Sequence, residues 1–303
     1  MFQDNVSPVN LIYILSSGHS GSTLTDLLLG SHSCVESVGE IFKLSSYLSD
    51  SSNIPNKNRI CTCGTLVDHC QYWQSVKTKL SPSVINKINV LGDNFTKHNY
   101  QLIKTILDIS GKSIFVDSSK SIPRLENFLR SNLFVIQIIH LIRDGRAVGF
   151  SSKSKYQRIL SELEEVNQNL FLRIKYKLLD RKYKKYNFYS TIRDWSYFNL
   201  KCHKKFGHLP NYHLLRYEDL VSSPENTINE ILQKWNLIFE PSQLEFYKFK
   251  HHNISGNRMR MKPNQTIKQD IKYLEKLSFW EWWIGTVLAK NELEYFGYSL
   301  KRY

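Results

Sequence analysis

The sequence has no apolar stretch approaching the roughly 20 residues needed to span a bilayer. Its first ten residues also lack the basic and apolar regions of a signal peptide. The expected location is the cytoplasm, with no transmembrane segment. Cysteine is scarce, five in 303 residues, which in an intracellular chain argues against a disulfide framework. Acidic residues are outnumbered, 27 against 41 Lys and Arg, leaving a net charge of +14. The imbalance is greatest from Ser151 to Lys205, where 14 basic residues face 5 acidic ones. Such a surplus favours an acidic partner: a nucleotide, a polyanion, an anionic membrane face or an acidic protein substrate. No helix-turn-helix, zinc-finger or RNA-binding signature accompanies it, so a nucleic acid is not the expected partner.

What the chain does have is a hydrophobic content of 41%, ample for a core. The apolar, β-prone run Leu11-Ile-Tyr-Ile-Leu15 ends in a small-residue loop, Ser16-Ser17-Gly18-His19-Ser20-Gly21-Ser22-Thr23. Leu24, Leu27 and Leu28 then recur at helical spacing. This pattern predicts a strand, a loop and a helix. Backbone N–H groups in such a loop converge on an anion at the helix N-terminus, where the dipole favours negative charge. The ligand should therefore carry phosphate or sulfate. The loop departs from the nucleotide-triphosphate pattern Gly-x4-Gly-Lys-Ser/Thr because it has no lysine.

Further along, Glu40 follows Gly39 after a short β-like run and is a candidate general base, or else an acidic residue at the start of a helix. Residues 48–80 read as an irregular, cysteine-containing insertion. Cys61, Cys63 and Cys70 with His69 could furnish four tetrahedral metal ligands, but the spacing does not match the usual two-residue gaps. A redox-sensitive disulfide and simply packed thiols are the other readings. Lys112 to Asp117 predicts a buried strand whose exit presents Ser118, Ser119 and Lys120. Ligands of open α/β sheets lie at that edge, so Lys120 could face the same anion, unless it is merely solvated. The near-continuous apolar run Leu133–Ile142 suits a central parallel strand. It leads straight into Arg143, with Ser151 eight residues on, and the two could reach one phosphate together. About 152–206 reads as a helical basic region, in which Trp195 either stacks a base, shapes an acceptor cleft or fills the core.

Gly18 to Leu24, Gly39-Glu40, Asp117-Ser-Ser-Lys120 and Arg143 with Ser151, in this order, resemble the sulfotransferases that use 3′-phosphoadenosine 5′-phosphosulfate. The resemblance is greatest to the bacterial and Golgi-type branch that includes tyrosylprotein sulfotransferases. Leu214-Leu-Arg-Tyr217 resembles that family's late strand, and His252 to Arg258 its C-terminal donor-contacting segment. The resemblance implies one α/β domain over 1–303, a P-loop-like three-layer fold with a central, mainly parallel sheet flanked by helices. It further implies that Ser17, Gly18, His19, Ser20, Gly21, Ser22 and Thr23 bind the 5′-phosphosulfate, and that Arg143 and Ser151 bind the 3′-phosphate. Tyr217 and Arg258 would contribute donor or acceptor contacts. Glu40 is then the base that deprotonates an acceptor hydroxyl, while Lys120 and His19 stabilise developing charge, without any metal. The acceptor could be a carbohydrate, a peptide tyrosine or a small molecule, acidic or polyanionic if the basic segment meets it. Family members often carry Lys or Arg where His19 stands. An imidazole, with an ordinary pKa of about 6.5, is cationic only when protonated, so donor binding should be linked to proton uptake. The rival readings are a P-loop small-molecule kinase with Asp117 as a Mg²⁺ ligand, and a basic, non-enzymatic polyanion-binding protein.

Overall fold

Strand β1, Val9–Ser16, is the centre of the sheet, and from Leu11 to Leu15 its residues are fully buried. Val, Ile, Leu and Tyr on both faces suit a parallel strand covered on each side. In the computed structural model, which describes residues 6–48, 59–92, 94–165 and 187–302, four further strands join it. They are β2 (Val35–Ser37), β3 (Ile114–Asp117), β4 (Phe134–Ile142) and β5 (Tyr212–Arg216), in the order β2-β3-β1-β4-β5. The ladders of β1 with β3, β1 with β4 and β2 with β3 are parallel. The expected α/β architecture with a parallel sheet and flanking helices is what the chain adopts.

The strand order creates a switch point. From β1 the chain crosses to β2 on one side, and from β4 it crosses to β5 on the other. Ligands of open α/β sheets bind outside the carboxyl ends of the two strands that diverge in this way. Ser17 and Arg143 are the residues that follow those two ends.

The described residues fall into two compact units. The first holds the chain to Ser16, Gly21–Leu141 and Phe206–Lys268, including nearly all of the sheet. Its core joins β1, β3 and β4 residues such as Ile12, Val116 and Ile139 to Leu24, Leu27 and Leu28 of the helix Ser22–Gly30, and to Ile228 and Leu232 of the helix Pro224–Gln233. The second comprises Ser17–Ser20, Ile142–Lys205 and Gln269 onward. Its core places Val148, Ile192 and Trp195 with Trp282, Leu293 and Phe296.

Several expectations shift in detail. Part of the presumed irregular insertion is regular: Gln71–Lys79 is a helix, with Trp73 fully buried. The late strand begins at Tyr212, and Tyr217 already opens the next helix, Tyr217–Ser222. In the basic region, Gly145–Glu165 and Phe188–Phe206 are helical, whereas the expectation for 166–186 lies outside the described residues. Trp195 is a core residue, 1% exposed and edge-on to Phe296 and Tyr298. The helix Phe279–Leu288 starts in a capping box between Ser278 and Glu281.

Candidate functional site

Glu40 owes its position to the glycine before it. Gly39 has φ of 79° and pairs in a β-bridge with Ile254. A Cβ at Gly39 would come within 2.5 Å of the Ile254 carbonyl oxygen, so only glycine lets the two backbones meet. The Glu40 amide donates to that same carbonyl at 3.1 Å. The carboxylate is thereby held between two partners: Lys120 Nζ donates to Oε1 at 2.7 Å and Ser255 Oγ to Oε2 at 2.8 Å. Burial opposes the charge on Glu40. The nearby Lys120 ammonium and the Lys120 and Ser255 hydrogen bonds outweigh it, so its pKa is lowered and the group is held ionised.

Lys120 reaches Glu40 from a backbone with φ of 63°, a left-handed conformation that costs a non-glycine residue on the order of 1 kcal/mol. Its neighbour fixes it: the fully buried Tyr13 donates from its hydroxyl to the Ser121 carbonyl at 2.8 Å and accepts from the Ser121 amide at 3.0 Å. Ser121 then caps the helix Ile122–Leu129. Asp117, the carboxylate on which a kinase reading depends, is fully buried. Its Oδ2 accepts from Arg124 Nε at 2.8 Å and its Oδ1 from the Ser119 amide at 2.8 Å. Asp117 belongs to an internal ion pair, and Arg124 also lies over the faces of Phe95 and Phe128.

The helix Ser22–Gly30 begins at Gly21, φ 95°. A Cβ there would run into the Tyr217 ring, so Tyr217, 7% exposed, packs on the end of the loop. Ser22 is buried, and Thr23 Oγ1 accepts from the Asn257 amide at 3.0 Å. Asn257 in turn caps the short 3-10 turn Arg258–Met261 with its side chain. Arg258 is exposed, whereas Arg260 is fastened to the Ile60 and Asn253 carbonyls and to Thr62 Oγ1.

In the second unit, Ser17 Oγ and Ser20 Oγ share a hydrogen bond of 2.8 Å, and His19 takes a left-handed φ of 66°. Arg143 is brought to this loop: its Nη1 donates to the His19 carbonyl at 3.3 Å and its Nη2 to the Asp270 carbonyl at 2.9 Å, with the Asp270 carboxylate at 3.3 Å. The next residue, Asp144, accepts from the Arg146 amide and side chain, and Arg146 lies over the Trp282 ring, its guanidinium carbon 3.9 Å from the centroid. Ser151 is half-buried on the helix Gly145–Glu165. The structure thus joins Glu40 to Lys120, and Arg143 to the loop, as pairs the sequence named only singly.

A family model described as the sulfotransferase family matches residues 12–241. The chain belongs to the sulfotransferase family. Two solved structures share this sulfotransferase fold. The sulfotransferase domain from the curacin biosynthetic pathway superposes with a TM-score of 0.59 at 17% identity, over 98% of this chain and all of that one. The sulfotransferase domain from the Synechococcus PCC 7002 olefin synthase gives 0.52 at 20% identity, over 95% and 96%. Among curated proteins no relative matches the chain.

Sequence reasoning missed Ser255, although it lies inside the quoted segment His252–Arg258, because a lone serine carries no pattern. It also missed Asp26, a carboxylate in the leucine-rich helix Ser22–Gly30, 1% exposed and receiving a hydrogen bond from Asn253. Beside the cysteines the sequence offered His69 as one possible ligand. His69 is exposed, while the imidazole beside Cys61 and Cys70 is that of His252.

Proposed function

We propose that this sulfotransferase moves a sulfuryl group from 3′-phosphoadenosine 5′-phosphosulfate to an acceptor hydroxyl by in-line transfer. The observation that carries this reading is the lysine-free loop after β1 with the guanidinium of Arg143, from the end of the neighbouring β4, against its His19 carbonyl. The loop lacks the lysine that holds a triphosphate, and Arg143 with Ser151 offers the separate cation and hydroxyl that a 3′-phosphate would need.

In this reading the loop amides from Ser17 to Thr23 hold the 5′-phosphosulfate, with His19 adding positive charge when protonated. Glu40, already ionised, accepts the proton of the acceptor hydroxyl as its oxygen bonds to sulfur. The bond from sulfur to the phosphate oxygen breaks, and the leaving 3′,5′-bisphosphate keeps the electron pair. Lys120 lies within reach of Glu40 and supplies a positive charge beside the reacting groups. Tyr217 supports the loop through Gly21, and Arg258 offers a cation at the exposed edge of the segment after Gly256.

The test is calorimetric binding of 3′-phosphoadenosine 5′-phosphate and of ADP to the wild type and to Arg143→Ala and Arg143→Lys. Expected are micromolar affinity for the bisphosphate, weak binding of ADP, and a loss of about 2 kcal/mol, about thirtyfold, in Arg143→Ala. Lysine should restore only part, since it cannot bind bidentately. Equal affinity for the two nucleotides would remove the 3′-phosphate site and revive the kinase reading.

Gly18 offers a second check. It has no left-handed φ, and a Cβ there would meet no protein atom within 4 Å. Gly18→Ala should therefore leave the unfolding midpoint nearly unchanged, yet weaken bisphosphate binding by about tenfold or more, because the methyl group would stand where the anion approaches the backbone. Unaltered binding would mean that the anion does not contact Gly18.

A further inference from the structure

Among the described residues, Cys61, Cys63, Cys70 and His252 bring one donor atom each within 4.8 Å of one another. Cys63 Sγ is 3.5 Å from Cys70 Sγ, Cys70 Sγ is 3.3 Å from His252 Nδ1, and Cys61 Sγ is 3.7 Å from the same nitrogen. These separations fit a known figure. A tetrahedral zinc with bonds of about 2.3 Å to sulfur and about 2.0 Å to nitrogen has edges of about 3.8 Å between sulfurs and about 3.5 Å from sulfur to nitrogen.

The surroundings suit thiolates and a fixed imidazole. Cys61 and Cys63 sit on a tight turn closed by the Cys61 amide donating to the Thr65 carbonyl and the Gly64 amide to the Cys61 carbonyl, between the bridged residues Ile60 and Leu66. On that turn Cys63 Sγ lies 3.2 Å from Thr65 Oγ1, a contact that steadies metal-bound sulfur. Cys70 is the N-cap of the helix Gln71–Lys79, where the dipole favours a negative sulfur. The His252 ring stacks on Tyr72, with centroids 4.4 Å apart and planes 3° from parallel, and its carbonyl accepts from Trp73 Nε1 at 3.1 Å. The ring is thus held with Nδ1 toward the sulfurs.

We propose that Cys61, Cys63, Cys70 and His252 form a structural Zn²⁺ site. Binding converts three thiols to thiolates, releases their three protons to solvent, and leaves a complex of net charge −1. All four positions are filled by protein, so the ion has no place for a substrate or reactive water and takes no part in sulfuryl transfer. Its consequence is mechanical. It fastens the 61–70 turn to the segment that starts at His252 and runs through Ile254 and Ser255, the residues that set the backbone and carboxylate of Glu40. A disulfide between Cys63 and Cys70 is the competing outcome, and it would leave a third sulfur and an imidazole converged on nothing.

The test needs neither donor nor acceptor, so it stands or falls apart from the proposed reaction. The wild-type chain, purified without an immobilised-metal column, is analysed for metal, and the reduced, stripped chain is titrated with Co²⁺. Expected are one zinc per chain, the visible bands of tetrahedral thiolate-bound cobalt, and five reactive thiols in denaturant with chelator and no reductant. His252→Ala and Cys70→Ser should weaken Co²⁺ binding by about tenfold or more, while Cys34→Ser and Cys202→Ser leave it unchanged. If those variants do not fold, Cys63→Ser, at a half-buried position, carries the same expectation. Zinc below about 0.1 per chain with no cobalt bands, or only three reactive thiols, would overturn the site.

Discussion

Glu40→Gln is expected to lower kcat by about 10² to 10⁴, the usual contribution of a positioned general base, while the affinity for 3′-phosphoadenosine 5′-phosphate changes little. Glutamine keeps the length of the side chain, and its carbonyl oxygen can still accept from Ser255 or Lys120. What it loses is the charge, and with it, in the proposed reaction, the ability to take the acceptor's proton as the oxygen attacks sulfur. The loss corresponds to about 3–5 kcal/mol of transition-state stabilisation. Single-turnover rates with saturating donor would isolate the chemical step. A loss below tenfold would take proton transfer away from Glu40. The histidines that could inherit it are poorly placed, since His69 is exposed and His140 is fully buried against the Tyr212 hydroxyl at 2.6 Å. The conservative variant Glu40→Asp should recover only part of the rate, because a shorter carboxylate gives up one of the two contacts that aim it.

A pH titration of stability should reveal a second carboxyl group. Asp26 is enclosed in the first unit, and burial pushes its pKa up to about 7, against weaker opposing effects from hydrogen bonds of Ser37 and Ser118 and from the Lys120 charge. The unfolded chain releases this proton near pH 4, whereas the folded chain holds it to about pH 7. Stability from this group is therefore fully present below about pH 4 and is lost as pH rises through about 7, at close to 1.4 kcal/mol per pH unit within that window. Denaturant midpoints of wild type and Asp26→Asn, measured at pH 5 and pH 8, should diverge. The wild type should lose about 3 kcal/mol more than the variant, which carries no ionisable group there. Parallel pH profiles for the two proteins would mean that Asp26 does not hold its proton in the fold.

The sequence was most legible where the chain changes character abruptly. Leu11–Leu15 giving way to a glycine and serine loop marked a central strand and where it ends, because a fully covered parallel strand is apolar on both faces and a glycine-serine loop is not. Arg143 stood out for the same reason, a cation at the abrupt end of Phe134–Ile142. Contacts over long separations were illegible. Glu40 and Lys120 were both named, yet nothing in their spacing announced an ion pair across 80 residues. His69 looked like the partner of the thiols because it adjoins Cys70, but a ligand set is chosen by proximity in space, and His252 arrives from 182 residues away. Tyr217 drew attention as a polar group at a strand end, whereas its ring fills the space beside Gly21 that no side chain could share.

The pairing of Gly39 with Ile254 and of Glu40 with Ser255 also bears on how the protein is made. These contacts close a loop of 215 residues, so they come at high entropic cost and belong among the late events of folding. A chain emerging from the ribosome can form β1 through β4 and the loop after β1 with Glu40 still unanchored. The backbone of Gly39 and the carboxylate contacts of Glu40 must wait until residues 252–257 have been synthesised and laid against Gly39, long after the strands up to β4 have left the ribosome.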